Sequence, residues 1–191
     1  MKIWALRSRW HYLGVLRSTG IRLYAHWSVL LVVALFAVGA FSDPLIASAL
    51  FISVLALILI HELGHAWVAR RLGLEVTAIH FSLLHGRCTH ETAEYEWDEV
   101  RVAWGGVLAQ LLVAIPLLVI SAQWRSLPEV FEPVVIILGY FSLLTAAFNL
   151  LPAPGLDGAL AWRAVPMLWA EWRSRRVVGS VLKRIRSGQK K

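Results

Sequence analysis

The chain has 191 residues, of which 58% are hydrophobic and 16% are charged, and its formal net charge is +7. A soluble domain usually has about 45–50% apolar and about 25% charged residues, so this composition argues against a soluble fold and favours one compact membrane domain. The basic residues lie at the ends of apolar segments, which argues against nucleic acid as a partner. The single cysteine, Cys88, excludes an intramolecular disulfide and a cysteine-based zinc site.

The N-terminal segment, residues 1–22, has five basic residues with aromatic residues between them. That mixture is typical of a segment at the membrane surface. No uninterrupted apolar core precedes Arg7, so we expect no cleavable signal peptide. Between Leu23 and Ser42 the only titratable side chains are Tyr24 and His26. This run predicts a first spanning helix, since ~20 apolar residues cross a ~30 Å hydrocarbon core.

A second apolar run follows the turn at Asp43-Pro44 and extends to about Arg70. Near its end three ionisable side chains occur together: His61, Glu62 and His65. Residues four apart lie on one face of a helix, so the two histidines can hold one metal ion, with the glutamate close enough to polarise a water. This is the H-E-x-x-H arrangement of zinc hydrolases.

The rest of the chain contains two strands and two further spans. Alternation over residues 75–84 predicts a half-buried strand, and Gly86 turns the chain into a second strand through Thr92. An acidic link over 91–99 leads to uncharged runs at 102–124 and 133–156. The predicted fold class is therefore an all-α polytopic membrane protein. It has about four transmembrane helices and a small membrane-associated β-hairpin or sheet between the second and third.

Basic residues set the expected orientation. Of the 19 Lys and Arg residues, 18 lie in 1–22, 70–102 and 158–191, which four spans would place on the cytoplasmic side. We thus expect a multi-pass protein of the bacterial inner (plasma) membrane with both termini cytoplasmic. The membrane-embedded core is residues 23–158. The basic tail, residues 159–191, is expected to form an amphipathic helix on an anionic leaflet, or alternatively to be solvated.

Ten tryptophans are present, and several lie near the predicted membrane interfaces. We expect these to anchor the protein in an aromatic belt; they are Trp27, Trp104, Trp124, Trp162 and Trp169.

A catalytic zinc site usually has three protein ligands plus a water, so His61 and His65 need a third. The other candidates are the remaining histidines, several loop carboxylates and one aspartate after the last span: His11, His26, His80, His85, His90 and Asp157. At ~1.5 Å per residue, both histidines lie roughly 26–32 Å along the second helix, and Asp157 lies at most ~35 Å along the fourth. The matching depth favours Asp157 as the ligand. The alternative is that it merely caps the following helix. A second metal site at His80, His85 and His90 is less favoured.

Three motifs in this order resemble those of the site-2 proteases, which are intramembrane zinc metalloproteases: HELGH at 61–65, GGVLAQ at 105–110 and NLLPAPGLDG at 149–158. The resemblance implies that His61, His65 and Asp157 bind one Zn²⁺ ion and that Glu62 is the catalytic base. It also implies hydrolysis of peptide bonds in transmembrane substrate proteins near the cytoplasmic face. Asn149 is expected to bind the substrate backbone, or else to stabilise the helix end.

The chain departs from the family pattern in its middle motif, which commonly reads Gly-Pro-x-x-Asn and here has Val107 and Gln110. It also lacks room for a PDZ domain or a nucleotide-binding regulatory domain. We therefore expect a minimal member regulated by a membrane partner. Two rival functions are a catalytically silent zinc-binding scaffold and a metal transporter. Glu62 argues against the first, and a single polar cluster at one depth argues against the second.

Overall fold

The computed structural model describes residues 10–17, 19–82, 86–124 and 127–188. His85 and residues 1–9 of the basic N-terminal segment lie outside these ranges. The elements in chain order are β1 (Trp10–Leu16), β2 (Ile21–His26), α1 (Val29–Gly39), α2 (Pro44–Arg71), β3 (Val76–Phe81), β4 (Gly86–His90), α3 (Glu96–Gln123), α4 (Glu129–Asn149), α5 (Gly158–Ala161) and α6 (Ala164–Gly188).

Three of the described helices are long and apolar enough to cross a membrane: α2, α3 and α4, with 28, 28 and 21 residues. The fourth predicted span, residues 23–42, is not one continuous helix. Its first residues belong to β2, and α1 has only 11 residues. At ~1.5 Å per residue α1 rises ~16 Å, about half of a ~30 Å hydrocarbon core. The prediction for this segment was wrong because β2 pairs with β3, a strand more than 50 residues further along the chain.

Helix α2 begins and ends as its sequence predicts. The Asp43 carboxylate accepts hydrogen bonds from the backbone N–H groups of Leu45 and Ile46, each at 3.0 Å, and Pro44 occupies the first turn. Both features favour a helix start at this point. At the other end, Gly73 has a φ of +84°, which turns the chain out of the helix toward β3.

The other two spanning helices differ from the prediction at their ends. Helix α3 begins at Glu96 rather than near 102 because three acidic residues lie in its first turn, where the positive end of the helix dipole favours them. Helix α4 includes a π-helical stretch, Val135–Phe141. It ends at Asn149, before Pro152 and Pro154, so residues 150–157 form a loop rather than the last turns of a span.

The four strands form one sheet in the order β1-β2-β3-β4. Pairing is antiparallel between β1 and β2, parallel between β2 and β3, and antiparallel between β3 and β4. The predicted hairpin corresponds to β3 and β4, whereas β1 and β2 were not predicted. Ile21 and Ile79 pack from the sheet onto Ala66 and Ala69 of α2. The sheet therefore lies beside the end of α2 that carries the HELGH motif.

Helices α2 and α3 approach closely at two glycines. A Cβ atom added to Gly64 would overlap the backbone of Gly105, and one added to Gly105 would overlap the backbone of Gly64. Small residues allow such close backbone contact between membrane helices. The contact directs the next turn of α3 toward the histidines of α2.

Within the C-terminal tail, residues 164–188 form one helix, α6. Two of its tryptophans lie on the exposed surface and are covered by arginines four residues later: Arg173 is 4.6 Å from the Trp169 ring centre and Arg176 is 3.6 Å from that of Trp172. Stacked pairs of this kind are typical of cation–π contacts. Contact of this helix with a lipid leaflet remains a prediction.

Candidate metal centre

Two histidines of α2 and one aspartate from the loop after α4 meet at a single point. His61 Nε2 lies 3.0 Å from Asp157 Oδ2, His65 Nε2 lies 3.3 Å from the same oxygen, and the two nitrogens are 3.0 Å apart. Among the described residues, these three form the one group of three side chains placed to share a metal ion. Bonds of ~2.0 Å in a tetrahedron leave ligand atoms ~3.3 Å apart, so the spacing fits one ion.

The hydrogen bonds of the two imidazoles fix where their protons lie. His65 Nδ1 is 2.7 Å from the carbonyl oxygen of Val102, and His61 Nδ1 is 3.0 Å from Oε1 of Gln110. Both partners are acceptors, so each ring donates from Nδ1 and keeps a lone pair on Nε2. The two lone pairs therefore point at Asp157 Oδ2, a buried oxygen with no hydrogen-bond partner.

This donor set is chemically suited to zinc. The pKa of Asp157 lies below its ordinary value: burial acts to raise it, but the positive charge that His61 and His65 carry when protonated outweighs burial, so the carboxyl is ionised. Two neutral imidazole nitrogens and one carboxylate oxygen form a ligand set found in catalytic zinc sites. A cation between these three electron-rich atoms would stabilise the arrangement, and one Zn²⁺ ion fits it.

The position of Asp157 favours the ligand interpretation of this residue over the capping interpretation. It lies at the N-cap position of α5, yet its side chain makes no capping hydrogen bond. The carboxylate is turned toward the histidines instead. In the preceding loop Gly155 adopts a left-handed backbone conformation with φ +88°, which lets the chain turn so that the carboxylate faces the histidines.

Two tryptophans hold the loop that carries Asp157. The indole N–H of Trp162 donates to the carbonyl of Leu150 at 2.5 Å, and that of Trp104 donates to the carbonyl of Ala161 at 3.2 Å. The sequence predicted only membrane anchoring for these two tryptophans. In addition, the hydrogen bond of Trp162 joins the start of the loop to the residue after α5, and that of Trp104 joins α5 to α3.

Glu62 lies beside the cluster and is 3% exposed. Its carboxylate accepts a hydrogen bond from the backbone N–H of Cys88, and a Cβ atom at Gly86 would overlap it. Strand β4 thus packs directly on the glutamate.

Burial raises the pKa of the Cys88 thiol to about 12, and the charge of Glu62 adds to the rise. The thiol is therefore neutral, and it is not part of the three-residue cluster.

The ligands and Glu62 line one cavity of about 590 Å³. Asn149 also lines it, with its amide nitrogen 3.4 Å from His61 Nε2. His90 lies further along the same cavity and contacts the carbonyl of Glu91 at 2.8 Å. The cavity is therefore large enough for several residues of an extended peptide beside the metal centre. A role of Asn149 in binding substrate remains a prediction.

Two other candidate histidines lie away from the centre, in an aromatic group on the sheet. The ring of His80 stacks on Tyr24 at 5.0 Å, and Trp10 contacts both His80 and His26. Burial, and then the charge of Arg87, lower the pKa of His80. His11 is exposed on β1. These histidines therefore do not contribute to the three-residue cluster.

Gly106 leaves the space that the two imidazoles occupy. A Cβ atom there would overlap His65 Nε2 and the ring of His61. We expect Gly106→Ala to weaken Zn²⁺ affinity at least about 10-fold, comparable to the loss of a partner that orients a ligand. Competition with a chelator measures this change. Gly179→Ala, at an exposed position with no atom within 4 Å of the added Cβ, is the matched control. Equal affinity in the two variants would contradict the prediction.

Comparison with known proteins gives relatives of one kind. No family model matches the chain. It is 27% identical over 147 residues to a zinc metalloprotease of Methanocaldococcus jannaschii, covering 76% of this chain and 43% of the relative. It is 31% identical over 169 residues to Rip3 of Mycobacterium tuberculosis, which is provisionally named a zinc metalloprotease. That match covers 80% of this chain and 42% of Rip3. Its fold matches the site-2 protease of M. jannaschii with a TM-score of 0.67 at 24% identity, covering 82% of this chain and 71% of that structure.

The chain therefore has the fold of a membrane metalloprotease, and it is homologous to proteins named for that class. That fold is the site-2 protease fold, which its three motifs predicted. The chain spans less than half the length of the curated relatives described above.

Proposed function

We propose that this protein is an intramembrane zinc metalloendopeptidase that hydrolyses peptide bonds of transmembrane substrate proteins near the cytoplasmic face, in regulated intramembrane proteolysis. The observation that carries the proposal is the buried group of His61, His65 and Asp157 with Glu62 beside it on the same helix. A purely structural zinc site has no need of that glutamate. Ionisable groups inside membrane segments are rare and usually functional.

His61, His65 and Asp157 would hold the zinc ion. When bound, zinc supplies Lewis-acid chemistry, polarising a carbonyl oxygen and lowering the pKa of water from 15.7 to about 7. Glu62 is the general base in this proposal. Its carboxylate takes a proton from the attacking water and passes it to the nitrogen of the leaving peptide, a role worth about 10²–10⁴-fold in rate.

Strand β4 offers a surface for the substrate. A transmembrane helix hides its carbonyl groups in hydrogen bonds, so the segment to be cleaved has to be unwound. In the described sheet β4 pairs only with β3, and Gly86 and Cys88 of β4 line the cavity. An extended peptide can add to such an edge through backbone hydrogen bonds. The amide of Asn149 would bind the same peptide from the opposite side, next to His61.

The proposed orientation places the metal centre near the cytoplasm. Support comes from Arg70 and Arg71 in the last turn of α2, about one and a half turns beyond His65, since basic residues favour the cytoplasmic side. In the same proposal α6 lies on the anionic leaflet of the plasma membrane, with the exposed Trp169 and Trp172 at headgroup depth.

Metal removal tests the proposal. In liposomes that contain the protein and a single-span substrate, a chelator that strips the metal should reduce cleavage to background, and Zn²⁺ should restore it because no other group in the cluster supplies a Lewis acid. The measurement is product formation together with metal content. Cleavage that persists after the metal has left would contradict a metalloprotease. Zn²⁺ uptake by the same liposomes, unchanged in Glu62→Gln, would favour transport instead.

A further inference from the structure

Gln110 connects the metal centre to a second spanning helix. We infer that Gln110 is a positioning residue that holds the His61 imidazole in the orientation required for metal binding, and that Thr145 of α4 holds Gln110 in turn. This inference rests on the zinc centre of the proposed function. It concerns a residue at which the chain departs from the family pattern.

The contacts form a continuous chain from α2 through α3 to α4. Gln110 is 1% exposed. Its Oε1 lies 3.0 Å from His61 Nδ1, and its Nε2 lies 3.1 Å from Thr145 Oγ1. Both polar ends of the amide are therefore paired, as a buried side chain of this kind requires.

The direction of each hydrogen bond follows from the last member of the chain. The Thr145 hydroxyl donates to carbonyl oxygens of its own helix, those of Phe141 at 3.0 Å and Ser142 at 3.1 Å. Since its single proton is used there, Oγ1 accepts from Gln110 Nε2. The amide therefore presents Oε1 to His61, which donates from Nδ1 and keeps the Nε2 lone pair for the metal.

The two histidines differ in what orients them. His65 is held by the backbone carbonyl of Val102, which no substitution removes. His61 is held by a side chain, so its orientation depends on the residue at position 110. An asparagine is shorter by one methylene, so it would lose the hydrogen bond either to His61 or to Thr145. Glutamine is therefore the length that joins these two partners.

Zn²⁺ affinity of two variants tests the inference. Gln110→Met keeps the length of the side chain but has no oxygen acceptor, whereas Gln110→Glu keeps an oxygen for His61. We expect Gln110→Met to bind Zn²⁺ about 10–100-fold more weakly in chelator competition, the usual effect of losing an outer partner of a ligand. Gln110→Glu keeps the acceptor for His61 but loses the N–H that Thr145 accepts, so it should bind Zn²⁺ more tightly than Gln110→Met. The visible spectrum of bound Co²⁺ should change in the first variant and be preserved in the second.

Thr145→Val provides an independent measurement, including the case in which Gln110→Met does not fold. It should weaken Zn²⁺ binding by a smaller factor, because Gln110 loses one anchor but keeps its oxygen. Wild-type affinity in Gln110→Met or in Thr145→Val would overturn the inference, as would an equal loss in Gln110→Met and Gln110→Glu. None of these results affects the proposed protease. A wild-type protein that binds no zinc would overturn the proposed function itself.

Discussion

Asp157→Asn should weaken Zn²⁺ binding by more than about 100-fold, beyond the 10–100-fold typical of partners outside the ligand shell. The substitution preserves the size of the side chain and removes the charge that faces both imidazoles. Oδ2 lies 3.0 Å from His61 Nε2 and 3.3 Å from His65 Nε2, so no other described side chain is placed to replace it. Chelator competition on the purified protein measures the affinity.

A control for this prediction is Asp98→Asn. Asp98 pairs with Arg101 at 3.0 Å on the surface, one turn along α3, and exposed pairs contribute only about 0–1 kcal/mol. Zinc affinity should be unchanged in this variant. If Asp157→Asn also kept wild-type affinity, Asp157 would not be a ligand.

Glu62→Gln should reduce substrate cleavage by about 10²–10⁴-fold, the usual contribution of a general acid–base group, while zinc affinity stays near that of wild type. The amide retains the shape of the side chain but cannot take a proton from water. The rate is measured on a single-span substrate in liposomes, with metal content determined on the same samples.

The matched control here is Glu94→Gln, an exposed glutamate in the loop before α3, which should cleave at the wild-type rate. Two results would count against the role of Glu62. Cleavage near the wild-type rate would exclude it as the base. Loss of zinc together with activity would show that its contact with β4 supports the site rather than the reaction.

Local sequence signals predicted the three spanning helices because each depends on an uninterrupted apolar run. The start of α2 followed from the nearby cap at Asp43, whereas α3 and α4 differ from the prediction at their ends. The proximity of Asp157 to the histidine pair followed from helix length, since both motifs occur at a similar distance from the start of their helices. The structure brings these residues together.

The strands at residues 10–26 could not be predicted in the same way. Leu23 pairs with Ile79 of β3, and β propensity depends strongly on such distant partners. Viewed alone, the apolar residues of β2 merged with those of α1 into a span. The roles of Gly105, Gly106 and Gln110 could not be predicted for a similar reason, because they depend on contacts between distant helices. Their motif was visible, but their contacts with α2 appear only once α2 and α3 are packed.

The zinc X-ray absorption spectrum of the purified, zinc-loaded protein tests the metal centre most directly. The arrangement of His61, His65 and Asp157 predicts nitrogen and oxygen ligands at ~2.0–2.2 Å, with the outer-shell signal of two imidazoles and no sulfur. A zinc–sulfur distance of ~2.3 Å would implicate Cys88, the single cysteine of the chain. That result, or a spectrum without two imidazoles, would contradict the proposed centre.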